Sequence, residues 1–267
     1  MSNSYVSLTV LKSSAGLDIA GTAYDDRLVT LSENVCREID QYCDRHFFFV
    51  QGETKDFSGR GLRYLLVPDL IAIPGSGILE DTNLDGTYET VWAAADFLLS
   101  PYNVYPTTTI GYARPYSRIE VNTRSDGAQD TFLKAQRNYR ITGTWGYSRV
   151  LVDVAGDLSA SINATVTTGT FTSAGTVSRG DTIVIDTEQL YITSTGVGSN
   201  LTFERAVNGS TAATHTATAN VQTVVYPGPV REAALIQTAR LWKRRDSGYA
   251  SQVGMAETGQ MFVMNVG

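Results

Sequence analysis

The feature that most constrains this chain is a change of hydrophobic period along its length. Leu28, Leu31, Val35, Ile39 and Tyr42 recur at three or four residues, as they do on one face of a helix. From Phe47 to Val152 the period falls toward two and is broken repeatedly by Gly, Pro, Asn and Asp. A helical stretch returns only at Gly228-Pro229, a start signal followed by Val230, Ala233, Ala234, Gln237 and Leu241. Two helices from opposite ends of the chain therefore bracket a long β-forming region. Their apolar stripes are complementary, and the alanines permit close approach.

The expected fold class is α+β: two or more packed helices, a small antiparallel β region and an inserted small all-β subdomain. The first helix is placed at 22–45, with Thr22 and Asp25 as a capping box. The helix-pair core is assigned to Leu28, Leu31, Val35, Ile39, Val230, Ala234 and Leu241. Strands are expected at 47–50, 62–67, 77–80, 87–92, 118–121 and 138–145. Between them lies a loop carrying Tyr102, Tyr105, Tyr112 and Tyr116 among Pro101, Pro106 and Pro115, which either covers the sheet or meets a neighbour. Residues 155–225 are rich in Thr, Ser, Gly and Ala and contain alternating runs at 183–185, 190–192 and 201–203. They read as an inserted β subdomain with flanking strands at 162–167 and 220–225, and few core contacts are expected to cross its junction. The framework is then 1–154 plus 226–267, with the last helix at 229–246 and an extended arm at 247–267.

Charge is unevenly placed. The chain of 267 residues carries a net −6, yet Val230 to Asp246 holds five basic residues against two acidic ones, a local +3. Arg240, Lys243, Arg244 and Arg245 at the helix end suit the helix dipole, a carboxylate-bearing protein partner or, least well, DNA phosphates. A nucleic-acid coat is excluded by the overall acidity. Cys36 and Cys43, about 10 Å apart along one helix, cannot bridge each other and read as apolar fillers. No signal-like segment and no bilayer-spanning stretch is read, so no membrane partner is expected.

Asp81-x-Asn83-x-Asp85-Gly86-x-x-Glu89 matches the first half of a calcium loop, but Trp92 stands where the completing glutamate belongs. The preferred reading is a polar turn whose Asp and Asn side chains satisfy amides, with a weak calcium site as the alternative and no metal or other cofactor expected. His46 and His215 are the two histidines, and no third ligand shares the spacing of Cys43 and His46. No nucleophile elbow or phosphate-cradling loop occurs, and catalysis by a composite hydrolase site has no converging residue set.

Three segments resemble the head-tail connector (adaptor) proteins of tailed bacteriophages. They are Pro229 to Ser247, similar to that family's last helix; Trp145-Gly146-Tyr147, similar to the end of its β region; and residues 5–47, similar to its opening helix and lead-in. The resemblance implies a non-enzymatic virion protein, made in the host cytoplasm and placed in the neck. It would form a ring of twelve copies joining the portal protein to the next neck or tail ring, a stopper or tail terminator, with DNA passing through the channel without sequence-specific contact. It implies portal docking through Arg240, Trp242, Lys243, Arg244, Arg245, Met261, Phe262 and Val263. The 155–225 segment departs from the family, whose last helix follows the β region almost directly. The competing expectation from another class is a surface or carbohydrate-binding β module.

Overall fold

A computed structural model describes residues 3–103, 114–124, 129–154, 156–175 and 177–245, together with the backbone of 253–254 and 261–262. The elements are α1 (Leu8–Lys12), α2 (Asp25–Cys43), β1 (Phe49–Gly59), β2 (Tyr64–Ala72), β3 (Ile78–Glu80), β4 (Thr90–Val91), β5 (Phe97–Ser100), β6 (Tyr116–Val121) and β7 (Ala135–Gly146). A second series follows: β8 (Val150–Asp153), β9 (Thr168–Thr170), β10 (Thr182–Ile185), β11 (Glu188–Thr195), β12 (Asn200–Glu204) and β13 (Val221–Val225). The chain continues into α3 (Gly228–Arg244) and the two-residue strands β14 (Val253–Gly254) and β15 (Met261–Phe262).

The protein is mostly β, which corrects the expected helix-packed α+β class. The helices do pack on one another, but they cover one face of the second of two substantial antiparallel sheets rather than forming the body of the fold. In the first sheet β7 pairs with β1 along one side, while β2 and β3 succeed each other along the other. β6 and β5 extend from β2, and β4 extends from β3. Sharing one long strand among three partners curls the sheet around Ile78, Trp92, Ile119, Phe132, Tyr139, Ile141 and Trp145. Phe132 stacks on Trp92 at 4.7 Å, and Tyr139 meets both rings edge-on.

The second sheet runs β8-β13-β10-β11-β12-β9. Because side chains alternate across a strand, Ile183, Ile185, Leu190 and Ile192 fill a core on one face, with Leu201, Phe203 and Val221. The intervening Val184, with Val224 of β13, points the other way, into a core shared with Tyr5, Cys36, Phe48, Phe49, Ala234 and Leu235. Segment 155–225 is thus built into the centre of the molecule. Tyr191 donates to Glu33 of α2, Gln189 to the Phe49 carbonyl, and Thr182 to Asn3. The expected paucity of contacts across its junction is not found, since the helices lie on the face opposite its private core.

Both ends of α2 shift inward, whereas α3 starts one residue early and ends two residues early. α2 starts at Asp25 after Tyr24, with no side-chain cap from Thr22, and ends where Asp44 takes a left-handed conformation. Its buried face is Leu28, Val29, Ser32, Val35, Cys36 and Asp40. Leu31 and Ile39 lie at the margin, and Tyr42 is 93% exposed. On α3 the buried residues are Val230, Ala234, Leu235, Thr238 and Trp242, so Trp242 takes the place expected for the half-buried Leu241. No described helix is long and apolar enough to cross a membrane.

Candidate functional site

The basic end of α3 is the first candidate. Arg240 and Lys243 project to solvent from the final turns, and Arg244 is half-buried. Trp242, expected among the docking residues, is instead a core side chain only 6% exposed, packed with Leu8, Leu28 and Val29. Tyr24 meets its ring edge-on at 5.4 Å, and the Arg245 guanidinium lies 4.0 Å from its centroid. This aromatic and cationic stack fixes where the chain leaves the helix, at the N-terminal end of α2. The side chains of Met261 and Phe262 lie outside the described residues, as do Val263, the rest of the arm, Tyr105, Tyr112 and Pro106.

The Asp81 turn joins β3 to β4. Asp81, 4% exposed, accepts from the amides of Leu84 and Asp85 through Oδ1 and of Gly86 through Oδ2. Asn83 accepts from the Asp85 amide, Asp85 from the Thr87 amide, and Glu89 from Thr82. The Thr87 amide lowers the pKa of Asp85, and the Thr82 hydroxyl lowers that of Glu89. The geometry is that of a turn closed by its own amides, even though carboxylate oxygens of Asp81, Asp85 and Glu89 lie within 4.8 Å of one another. Trp92 is fully buried and donates to Glu80 at 2.8 Å, which accounts for it as a core residue of the sheet.

A polar cluster that sequence reading missed lies in the second sheet. Glu188 is fully buried and receives Arg205 through both carboxylate oxygens at 2.7 and 2.6 Å, as well as the amides of Ala206 and Ala213. His215, 1% exposed, sits between Glu188 at 2.9 Å and Asp186 at 2.7 Å. Burial alone would raise the pKa of Glu188, but Arg205, the Ala213 amide, His215 and the Ala206 amide outweigh it and hold the group at about 2. Arg205 spends its remaining donors on the carbonyls of Asn163, Val166 and Ala213. The cluster binds the β10–β11 turn to the 205–215 loop. Every polar group in it has a protein partner, so its chemistry is that of a fastener.

His46 stacks on Phe48 at 4.9 Å, with Nδ1 3.6 Å from Asp40, while Cys43 faces solvent. Burial pushes the Cys36 thiol up to about 11. Asp40 accepts from the Tyr5 hydroxyl at 2.5 Å and pairs with Arg37, beside a cleft of about 480 Å³ bounded by Arg45, Asp69, Lys55 and Trp145. A cavity of about 710 Å³ opens on the outer face of β2, β6 and β5. Sequence patterns do not bring its residues together, because they come from three separate segments, 63–64, 98–102 and 118–124. No protein family, curated protein or solved structure matches the chain.

Proposed function

We propose that this protein is a non-enzymatic structural component of a tailed-phage virion, an adaptor that forms a ring between the portal and the next neck or tail ring, around the path of the DNA. The observation that carries the reading is the pairing of the opening and closing helices, α2 with α3, beside the Trp145-Gly146-Tyr147 segment. Tyr147 packs on Phe47, and Phe47 on Tyr5, so the strand that ends the first sheet is tied to the foot of the helix pair. The exposed cations Arg240 and Lys243 lie where the chain departs toward 246–267, which suits an acidic partner surface. On this reading the sheets supply lateral and tail-facing surfaces, twelve copies close the ring by heterologous contacts, and assembly takes place in the host cytoplasm before the neck is completed.

Light scattering on the purified protein, alone and with assembled portal, tests the proposal. A portal-dependent ring supports it. A compact dimer that persists and ignores portal overturns it.

A further inference from the structure

The outer face of the first sheet carries an unusual mixture. Tyr64, Leu66, Leu98 and Tyr102 are 38%, 56%, 40% and 54% exposed, apolar side chains on and beside β2 and β5 that flank Glu120 and Arg118 of the intervening β6. Set among them around the 710 Å³ cavity are Arg63, Arg118 and Arg124. Glu120 is engaged by the Tyr102 hydroxyl and by Arg118 at 3.3 Å, whereas the exposed Arg63 and Arg124 have no carboxylate partner among the described residues. β5 ends the hydrogen-bonded strand order there, pairing with β6 alone among the described strands. A basic, apolar, strand-edged surface in a chain of net charge −6 calls for an acidic and apolar occupant that can lie extended.

Segment 246–267 has that chemistry. It contains Asp246 and Glu257 and no Lys or Arg, and it offers Val253, Met255, Met261, Phe262, Val263 and Met264. Its backbone already pairs Val253 with Phe262 and Gly254 with Met261. A ladder so small is marginal in water without a surface to cover it.

The helix pair sets where the arm begins. α2 is 19 residues long, about 28 Å at 1.5 Å per residue. Its C-terminal end adjoins the first sheet through Arg45 and Asp69, whereas its N-terminal end holds Tyr24 against Trp242, where α3 releases the chain. Segment 246–267 therefore leaves at the pole remote from its own first sheet. With Met261 paired to Gly254, the stretch from Arg245 to Gly254 spans up to about 30 Å when extended, comparable to the length of α2.

We infer that residues 246–267 of one copy dock on the β5 edge and arginine-lined cavity of the next copy, so that the arm is the lateral clasp of the ring. The inference rests on the adaptor reading for its ring. A Cys43→Ser background removes the exposed thiol, and two differently tagged chains then carry Leu98→Cys and Phe262→Cys separately, with a third carrying both. After mixing with portal and mild oxidation, a disulfide joining the two tags supports the clasp. A disulfide formed only within the doubly substituted chain overturns it, as does a light-scattering ring that yields no cross-link, and in both cases the adaptor reading stands. Failure to associate with or without portal overturns both. Independently, Arg63→Glu with Arg124→Glu should weaken self-association by about tenfold or more while keeping the parent melting curve, and Asp246→Lys with Glu257→Lys should restore it. Unchanged association by the folded arginine variant refutes the clasp.

Discussion

Glu188 is the residue on which the second sheet's polar interior depends. Removing Arg205 leaves that carboxylate buried with one charged partner fewer, so Arg205→Met is expected to cost about 3–5 kcal/mol, measured by urea unfolding. Glu188 and Asp56, the latter held down by Arg140, then Arg137, are both depressed to about 2. Each contributes stability that is present above the ordinary carboxylate range and lost as pH falls toward 2. Asp181 works in the opposite sense, because burial raises it to about 6. Its contribution is complete below the unfolded value near 4 and lost as pH rises through 6. Asp181→Asn should therefore remove the fall in melting temperature between pH 4 and pH 7 while leaving the acid limb intact. At the Asp81 turn, Asp81→Asn keeps an oxygen for the Leu84 and Asp85 amides but sets an NH2 against the Gly86 amide, and is expected to cost about 1–3 kcal/mol, equally in calcium and in chelator. A calcium-dependent difference between the two melts would reassign the turn as an ion site.

At the scale of elements, Trp242 and Lys243 are neighbours with separable roles. Trp242→Ala should lower stability by about 3–5 kcal/mol in denaturant unfolding, since it empties the contact between α3 and the start of α2. Lys243→Glu should leave unfolding within about 0.5 kcal/mol and act only on portal attachment, more strongly at low salt. The sequence made these helices legible because their apolar residues repeat at helical spacing. It misled at Ser32 and Asp40, polar side chains on the buried face, which pulled the apparent stripe toward Leu31, Ile39 and Tyr42. Among the strands, β2, β3, β6 and β7 were readable by alternation and turn residues. β5, β8 and β9 were missed, β5 among prolines and tyrosines and the other two too short to show a period, and the strand expected at 162–167 is an isolated bridge at Ile162 followed by a turn. The Glu188 cluster was illegible for a different reason. Asp186, Glu188, Arg205 and His215 are adjacent only once the 205–215 loop has folded back, and no local pattern announces a long-range salt bridge.

Over the whole molecule, the signal that 155–225 is integral was present in Val184. An apolar residue between Ile183 and Ile185 gives β10 two apolar faces, which requires cover on both sides, and the helices provide the second. Excising 155–225 and joining the flanks with a Gly-Ser linker should therefore abolish the cooperative thermal transition followed by circular dichroism, because Tyr5, Phe49 and Ala234 lose their opposing wall. A surviving cooperative melt would restore the insertion as a separable unit. The same wall has a consequence in time. Asn3 bonds to Asn208, and Tyr5 packs on Tyr226 at 4.7 Å, so these early residues wait for residues about 200 positions later to be synthesised. Closure across such sequence distances is slow and leaves the nascent α2 with an uncovered apolar face until those residues emerge. Closure of the shared core thus waits on synthesis of residues 208–226, and the yield of this protein in a cell should respond to chaperone supply more steeply than its final stability suggests.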